Sequence, residues 1–150
     1  MPSNKRSATK SSPYEKQLRE TIFFLDHNLG SRRVATALRE AGANVEVHID
    51  HFAPDMADEE WLAACGQRGW VVITLDYKIR YRASELNALR RHGVKAFLVA
   101  HAGQMNGAAL SELLVGKLPK LVALATQTQP PFAFRLTPTG TTTKLSLKRA

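Results

Sequence analysis

Three aspartates of this chain stand where an acid can do more than end an element of secondary structure. Asp26 closes the apolar run "FFLD", Asp76 closes "WVVITLD", and Asp58 opens the acidic stretch "DEEW". Carboxylates gathered in one place repel one another unless a cation neutralises them. Oxygen donors without thiolates suit a hard divalent ion, Mg²⁺ or Mn²⁺, far better than zinc. Mg²⁺ held this way keeps waters that bind phosphate or supply a nucleophile, so the chemistry such a trio suits is phosphodiester hydrolysis. Asp50 and Asp55, in the loop before Asp58, are reserve candidates for its position.

Cations follow the third acid. The segment "YKIRYR" places Lys78, Arg80 and Arg82 just past Asp76, with Arg90 and Arg91 one helix later. Side chains of this kind hold the phosphates that flank a cut, and the interleaved Tyr77 and Tyr81 can stack unpaired bases. A solvated helix start with its tyrosines packed on the core explains the same residues equally well. His27, His48 and His51 lack a ligand spacing such as H-E-x-x-H and are expected to be surface or packed residues. Cys65, the one cysteine, excludes a disulfide framework and is expected to be a core thiol in a reducing compartment.

The elements that must position the acids are legible from periodicity. Residues 21–25, "TIFFL", read as a first strand, and the helical spacing of Val34, Leu38 and Ala41 behind a Ser31 cap reads as a first helix stopped by Gly42. "NVEVHI" alternates as a second strand does, and "DEEWLAACGQRG" is a second helix with acids at its start and Gly69 at its stop. "WVVITL", β-branched and uncharged, suits a central third strand covered on both faces. "ASELNALRRHG" and "VKAFLVA" supply the next helix and a fourth strand. Residues 106–129 then read as one or two helices interrupted near Gly116 and Pro119, followed by an edge strand "FAFRLT" and a flexible tail. No internal repeat at solenoid spacing is present.

Strands alternating with helices imply a parallel sheet wrapped on both faces, an α/β/α sandwich whose strand C-termini share one edge. In open sheets of this kind that edge holds the ligand. Asp26 and Asp76 fall on it directly, and Asp58 reaches it from the start of the helix after strand two.

The length of 150 residues fits one domain. Net charge is +8, and residues 1–20 and 140–150 carry +6 of it, which favours a polyanionic partner such as nucleic acid. No signal-peptide core and no apolar run of spanning length is present, so a cytoplasmic protein with no membrane association is expected. The expected organisation is a basic flexible segment over residues 1–20, a domain over 21–139 and a basic tail over 140–150.

The order "FFLDHNL", "DEEW" at a helix start and "WVVITLDYKIR" resembles the PIN-like ribonuclease domains, in particular the compact branch related to VapC-type toxins of bacterial toxin-antitoxin systems. The resemblance runs from about Thr21 to Val99, and its best motif is the strand-three "T-x-D" of Thr74 and Asp76. It implies a PIN-like three-layer α/β/α domain with a mainly parallel central sheet, in which Asp26, Asp58 and Asp76 are both catalytic and metal-binding. Asn28 matches a polar position of the family's opening motif, and Thr74 and Asp55 would support the shell. Lys78 stands where many members carry a further acid, and neither Glu40 nor Glu46 has a motif around it, which favours one tightly held ion.

The function so implied is a Mg²⁺- or Mn²⁺-dependent ribonuclease acting on RNA, the toxin of a pair masked by a cognate antitoxin protein, with a homodimer as a further expectation. Its rival is a non-catalytic PIN-like module that binds RNA or protein. A phosphoacceptor receiver would need paired acids after strand one and a late-strand Lys, and a haloacid-dehalogenase-type phosphatase would need an acid where Asn28 stands.

Overall fold

In the computed structural model, which describes residues 12–29, 32–103 and 105–147, the alternation closes into a six-stranded sheet. The strands are β1 (Ile22–Leu25), β2 (Asn44–Val47), β3 (Val71–Thr74), β4 (Lys95–Val99), β5 (Phe132–Leu136) and β6 (Thr142–Lys144). They lie in the order β2-β1-β3-β4-β5-β6, the first five mutually parallel and β6 antiparallel to β5. The helices are α1 (Pro13–Glu20), α2 (Arg32–Glu40), α3 (Asp58–Arg68), α4 (Ala83–Arg91) and α5 (Gly107–Gln127).

The period of two along each strand divides the core into two layers. Phe23, Leu25, Val71, Ile73, Phe97 and Val99 pack on one face with α1, α2 and α5, through Leu18, Leu38 and Leu121. Phe24, Val72, Ala96 and Leu98 pack on the other with α3 and α4, through Trp61, Leu62 and Leu89. This is the three-layer α/β/α architecture with a mainly parallel sheet. Gly66 lets α3 and α4 come close, since a Cβ there would sit 2.4 Å from the His92 carbonyl oxygen.

Several local expectations are corrected. Part of the N-terminal segment read as flexible is α1: Ser12 caps it, its Oγ accepting from the Glu15 N–H while the Glu15 carboxylate accepts from the Ser12 N–H. β5 is an interior strand, because Thr142–Lys144 of the expected flexible tail pairs along it as β6. Residues 107–127 form one helix that runs through Gly116 and Pro119. Leu110, Leu114, Leu118, Leu121 and Val122 bury a continuous stripe there, enough to offset the one N–H that Pro119 cannot donate. β2 ends at Val47, and His48–Asp50 form a 3₁₀ turn. Ser31, the expected cap of α2, lies outside the described residues.

Cys65 is fully buried, and burial pushes its thiol up to about 12. A thiol so placed is protonated and shielded. Native protein is therefore expected to leave a colourimetric thiol reagent unreacted over hours, with one equivalent reacting promptly once denaturant is added.

Candidate active site

β1 and β3 are neighbours in register, Phe24 opposite Val72 and Leu25 opposite Ile73. One further step sets Asp26 beside Thr74, and the Asp26 N–H still donates to the Ile73 carbonyl at 3.1 Å. By the same period of two, Asp26 and Thr74 continue the face of Phe24 and Val72, toward α3 and α4. Both are buried, Asp26 at 2% exposure. Thr74 Oγ1 donates to Asp26 Oδ2 at 2.7 Å and accepts from the Asp76 N–H at 3.0 Å. A single hydroxyl thus ties the first acid to the backbone of the third.

Asp76 also starts the 3₁₀ turn Tyr77–Tyr81, its Oδ1 accepting from the Lys78 N–H at 3.2 Å. Its Oδ2 faces Arg82 Nη1 at 2.8 Å. The same guanidinium nitrogen lies 3.2 Å from Glu85 Oε1 and 3.8 Å from Asp58 Oδ2. The Asp76 and Glu85 carboxylates hold Arg82 more firmly protonated than an ordinary arginine. Asp58 does not cap α3, whose cap residue is Ala57; its Oδ1 accepts from the Trp61 indole N–H at 2.9 Å. That bond fixes the Asp58 carboxylate on a fully buried ring.

Asp26, Asp76 and Asp58 are therefore linked in series, through Thr74 and then through Arg82. The group of three whose potential ligand atoms all lie within 4.8 Å of one another, among the described residues, is a different one: Asp26, His27 and His48. His27 Nδ1 lies 2.9 Å from Asp26 Oδ1, and the Asp26 carboxylate also accepts from the His27 backbone N–H at 2.6 Å. His48 is 2% exposed, packed among Phe24, Phe52, Trp61 and His27, and its Nε2 has no hydrogen-bond partner.

Sequence spacing gave His48 and Glu85 no functional weight. His48 loses the strand periodicity because the chain turns after Val47, and Glu85 is visible only as the residue three past Arg82 in the first turn of α4. Burial lowers the His48 pKa below its ordinary 6.5, since the charged ring is the poorly solvated form. The stability that neutral His48 contributes is then complete above pH 6.5 and is lost as pH falls below it, where the unfolded chain takes up a proton that the folded chain resists. Melting temperature is expected to drop as pH falls below that value, and to drop less in His48→Gln.

The remaining candidates are placed as follows. Arg82, expected to hold phosphate, instead sits among carboxylates. Arg80 lies over the Tyr81 ring at 4.9 Å and donates to the Tyr77 and Tyr81 hydroxyls and to the Ser146 carbonyl, which pins the C-terminal segment. Lys78 is exposed, as are Asp55 in the turn before α3 and Asp50 in the turn after β2. Asn28 lies in the turn His27–Leu29, and its side chain is outside the described residues.

Two comparisons relate this chain to known proteins. The family profile described as "PIN like domain" matches residues 21–101, which run from β1 to just past β4 and include Asp26, Asp58, Thr74 and Asp76. The chain is 30% identical over 83 residues to "Putative ribonuclease VapC45" of Mycobacterium tuberculosis, an alignment covering 53% of this chain and 60% of that relative. It thus spans less than two thirds of the curated relative it matches. No solved structure matches. With more than half of its residues matched by that profile, the chain belongs to the PIN-like domain family.

Proposed function

We propose that this protein is a metal-dependent ribonuclease that cuts single-stranded RNA, the toxin of a toxin-antitoxin pair. The observation that carries the reading is one guanidinium nitrogen shared by Asp58, Asp76 and Glu85, with Asp26 buried on the other side of Thr74. Three carboxylates against one cation leave negative charge that a divalent ion would balance, so the donor set fits Mg²⁺ or Mn²⁺. Asp26, Asp58 and Asp76 would hold the ion, with Asn28, Thr74 and Asp55 in support and Glu85 beside them. When bound, such an ion neutralises the scissile phosphate and lowers the pKa of an attacking water.

The chain's own residues do the positioning. Thr74 fixes Asp26 Oδ2, Trp61 fixes Asp58, and Arg82 keeps Asp58, Asp76 and Glu85 from separating. Lys78, exposed and two residues past Asp76, is the side chain best disposed to hold a flanking phosphate, while Arg80 supports the turn that carries it. Tyr81, 66% exposed, offers a ring for a base to stack on. The family and the name of the ribonuclease relative support RNA as the substrate, and the VapC-type resemblance supports an antitoxin protein as partner. A cytoplasmic setting and a homodimer belong to the same reading; no helix of the described residues is long and apolar enough to cross a membrane.

Labelled single-stranded RNA is expected to be cut in Mn²⁺ and left intact in EDTA, and cutting that persists in EDTA would contradict the mechanism. A non-catalytic RNA- or protein-binding module is the second reading. The observation in its favour is that a cation of the chain itself, Arg82, already stands between the acids and offsets part of their charge. The two readings separate on Arg82→Gln. If the acids hold an ion, saturating Mn²⁺ should raise the melting temperature of this variant by about 5 °C more than that of the wild type, because the competing cation is gone. Equal shifts would favour the binder.

A further inference from the structure

A pocket of about 490 Å³ opens beside the acids, between α2 and the turn His48–Asp50, with His27 at the border of both. Its wall carries Arg32, Thr36 and Arg39 from one side and His48, Ile49 and Asp50 from the other. The volume suits a nucleoside rather than an extended strand. Its chemistry is mixed: two guanidinium groups that only donate, and a carboxylate whose two oxygens accept. Arg39 spends one nitrogen on the Val45 carbonyl at 2.7 Å, which fixes its direction and leaves its other donors over. Ile49, 75% exposed, is an apolar surface for a flat ring. His48 closes the inner end of the wall; it is buried, and its Nε2 has no hydrogen-bond partner.

We infer that this pocket receives the nucleobase next to the cut phosphate, and that the base it selects is guanine. Guanine presents N1–H and N2–H side by side, a pair that a carboxylate fork such as Asp50 accepts together, and O6 with N7, a pair that a guanidinium donates to together. Adenine offers Asp50 a single amino donor and nothing beside it. Cytosine and uracil likewise offer one donor, and their single ring reaches less of the apolar wall. Guanine is the base for which both forks are filled, and selectivity falls when either is broken. The inference rests on the ribonuclease reading for its substrate, but binding of a free nucleotide does not require cleavage.

The test is titration of the whole chain with 5′-GMP, AMP, CMP and UMP in Mg²⁺ buffer, followed by the imidazole resonances of His27 and His48 and by calorimetry. GMP is expected to bind about tenfold more tightly than the other three, and the preference to vanish in Asp50→Asn, whose side chain is exposed and whose fold should be unaffected. Arg32→Gln should weaken GMP by about tenfold while leaving AMP nearly unchanged. Equal binding of all four, no binding at all, or a GMP preference that survives Asp50→Asn overturns the inference. The two readings fail separately. RNA cut in Mn²⁺ without regard to guanosine overturns the pocket and leaves the nuclease standing, whereas GMP selectivity in a protein that cuts no RNA supports the pocket and removes the nuclease.

Discussion

Asp26→Asn is expected to lower RNA cleavage on the order of a thousandfold while RNA affinity is kept or rises. The substitution is nearly isosteric and keeps an oxygen for the Thr74 hydroxyl, which donates to Asp26 Oδ2 at 2.7 Å. What it removes is the charge. Asp26 is 2% exposed at the end of β1, so little solvent screens that charge from an ion or a phosphate beside it. Removing a negative charge also eases the approach of an RNA backbone, which is why affinity should not fall with activity. Thr74→Val is the graded companion. It keeps the shape of the side chain but deletes the hydroxyl that joins Asp26 to the Asp76 backbone, and a loss of about 10- to 100-fold is expected from mispositioning alone. A Thr74→Val protein as impaired as Asp26→Asn would mean that the hydroxyl itself takes part in the reaction.

Trp61→Ala is expected to cost about 3–5 kcal/mol of stability, a large part of what a domain of this size has. Trp61 is fully buried on α3, within 5.5 Å of the Phe24 ring and 5.8 Å of His48, centroid to centroid, so its loss empties the middle of the layer that supports the sheet edge. Trp61→Phe separates packing from positioning. It keeps an aromatic ring but removes the indole N–H that donates to Asp58 at 2.9 Å. Cleavage should fall about 10- to 100-fold at 25 °C in a protein that remains folded there. Denaturant titration and single-turnover cleavage of the two variants check both halves, and full activity in Trp61→Phe would show that Asp58 needs no orientation from this ring.

Much of the arrangement was legible in the sequence because it is built from local rules. Strand β3 is β-branched and uncharged, and β1 is aromatic and apolar; β1 is followed directly by Asp26, and β3 by Leu75 and then Asp76. Parallel pairing turns that repeated order into proximity, which is how Asp26 and Thr74, 48 residues apart, come to share a hydrogen bond. What could not be read depends on tertiary contacts. Glu85 carries no pattern of its own; its burial follows from Arg82, which gathers it with Asp76 and Asp58. His48 leaves the strand by one residue and is buried by aromatic rings from three other segments. β6 is a run of threonines and a lysine that reads as polar tail until β5 offers an unpaired edge. Arg80 and Arg82 look alike in the sequence, yet one packs on tyrosines and the other on carboxylates.

The most direct measurement is cleavage of labelled single-stranded RNA in Mn²⁺ by Asp76→Asn protein beside the wild type. Asp76 is the one residue that touches both halves of the acid chain, through Thr74 on one side and Arg82 on the other. The expected result is that wild-type protein cuts and Asp76→Asn does not, although it still binds the RNA. Cleavage by Asp76→Asn at the wild-type rate would contradict the assignment of this sheet edge as the active site.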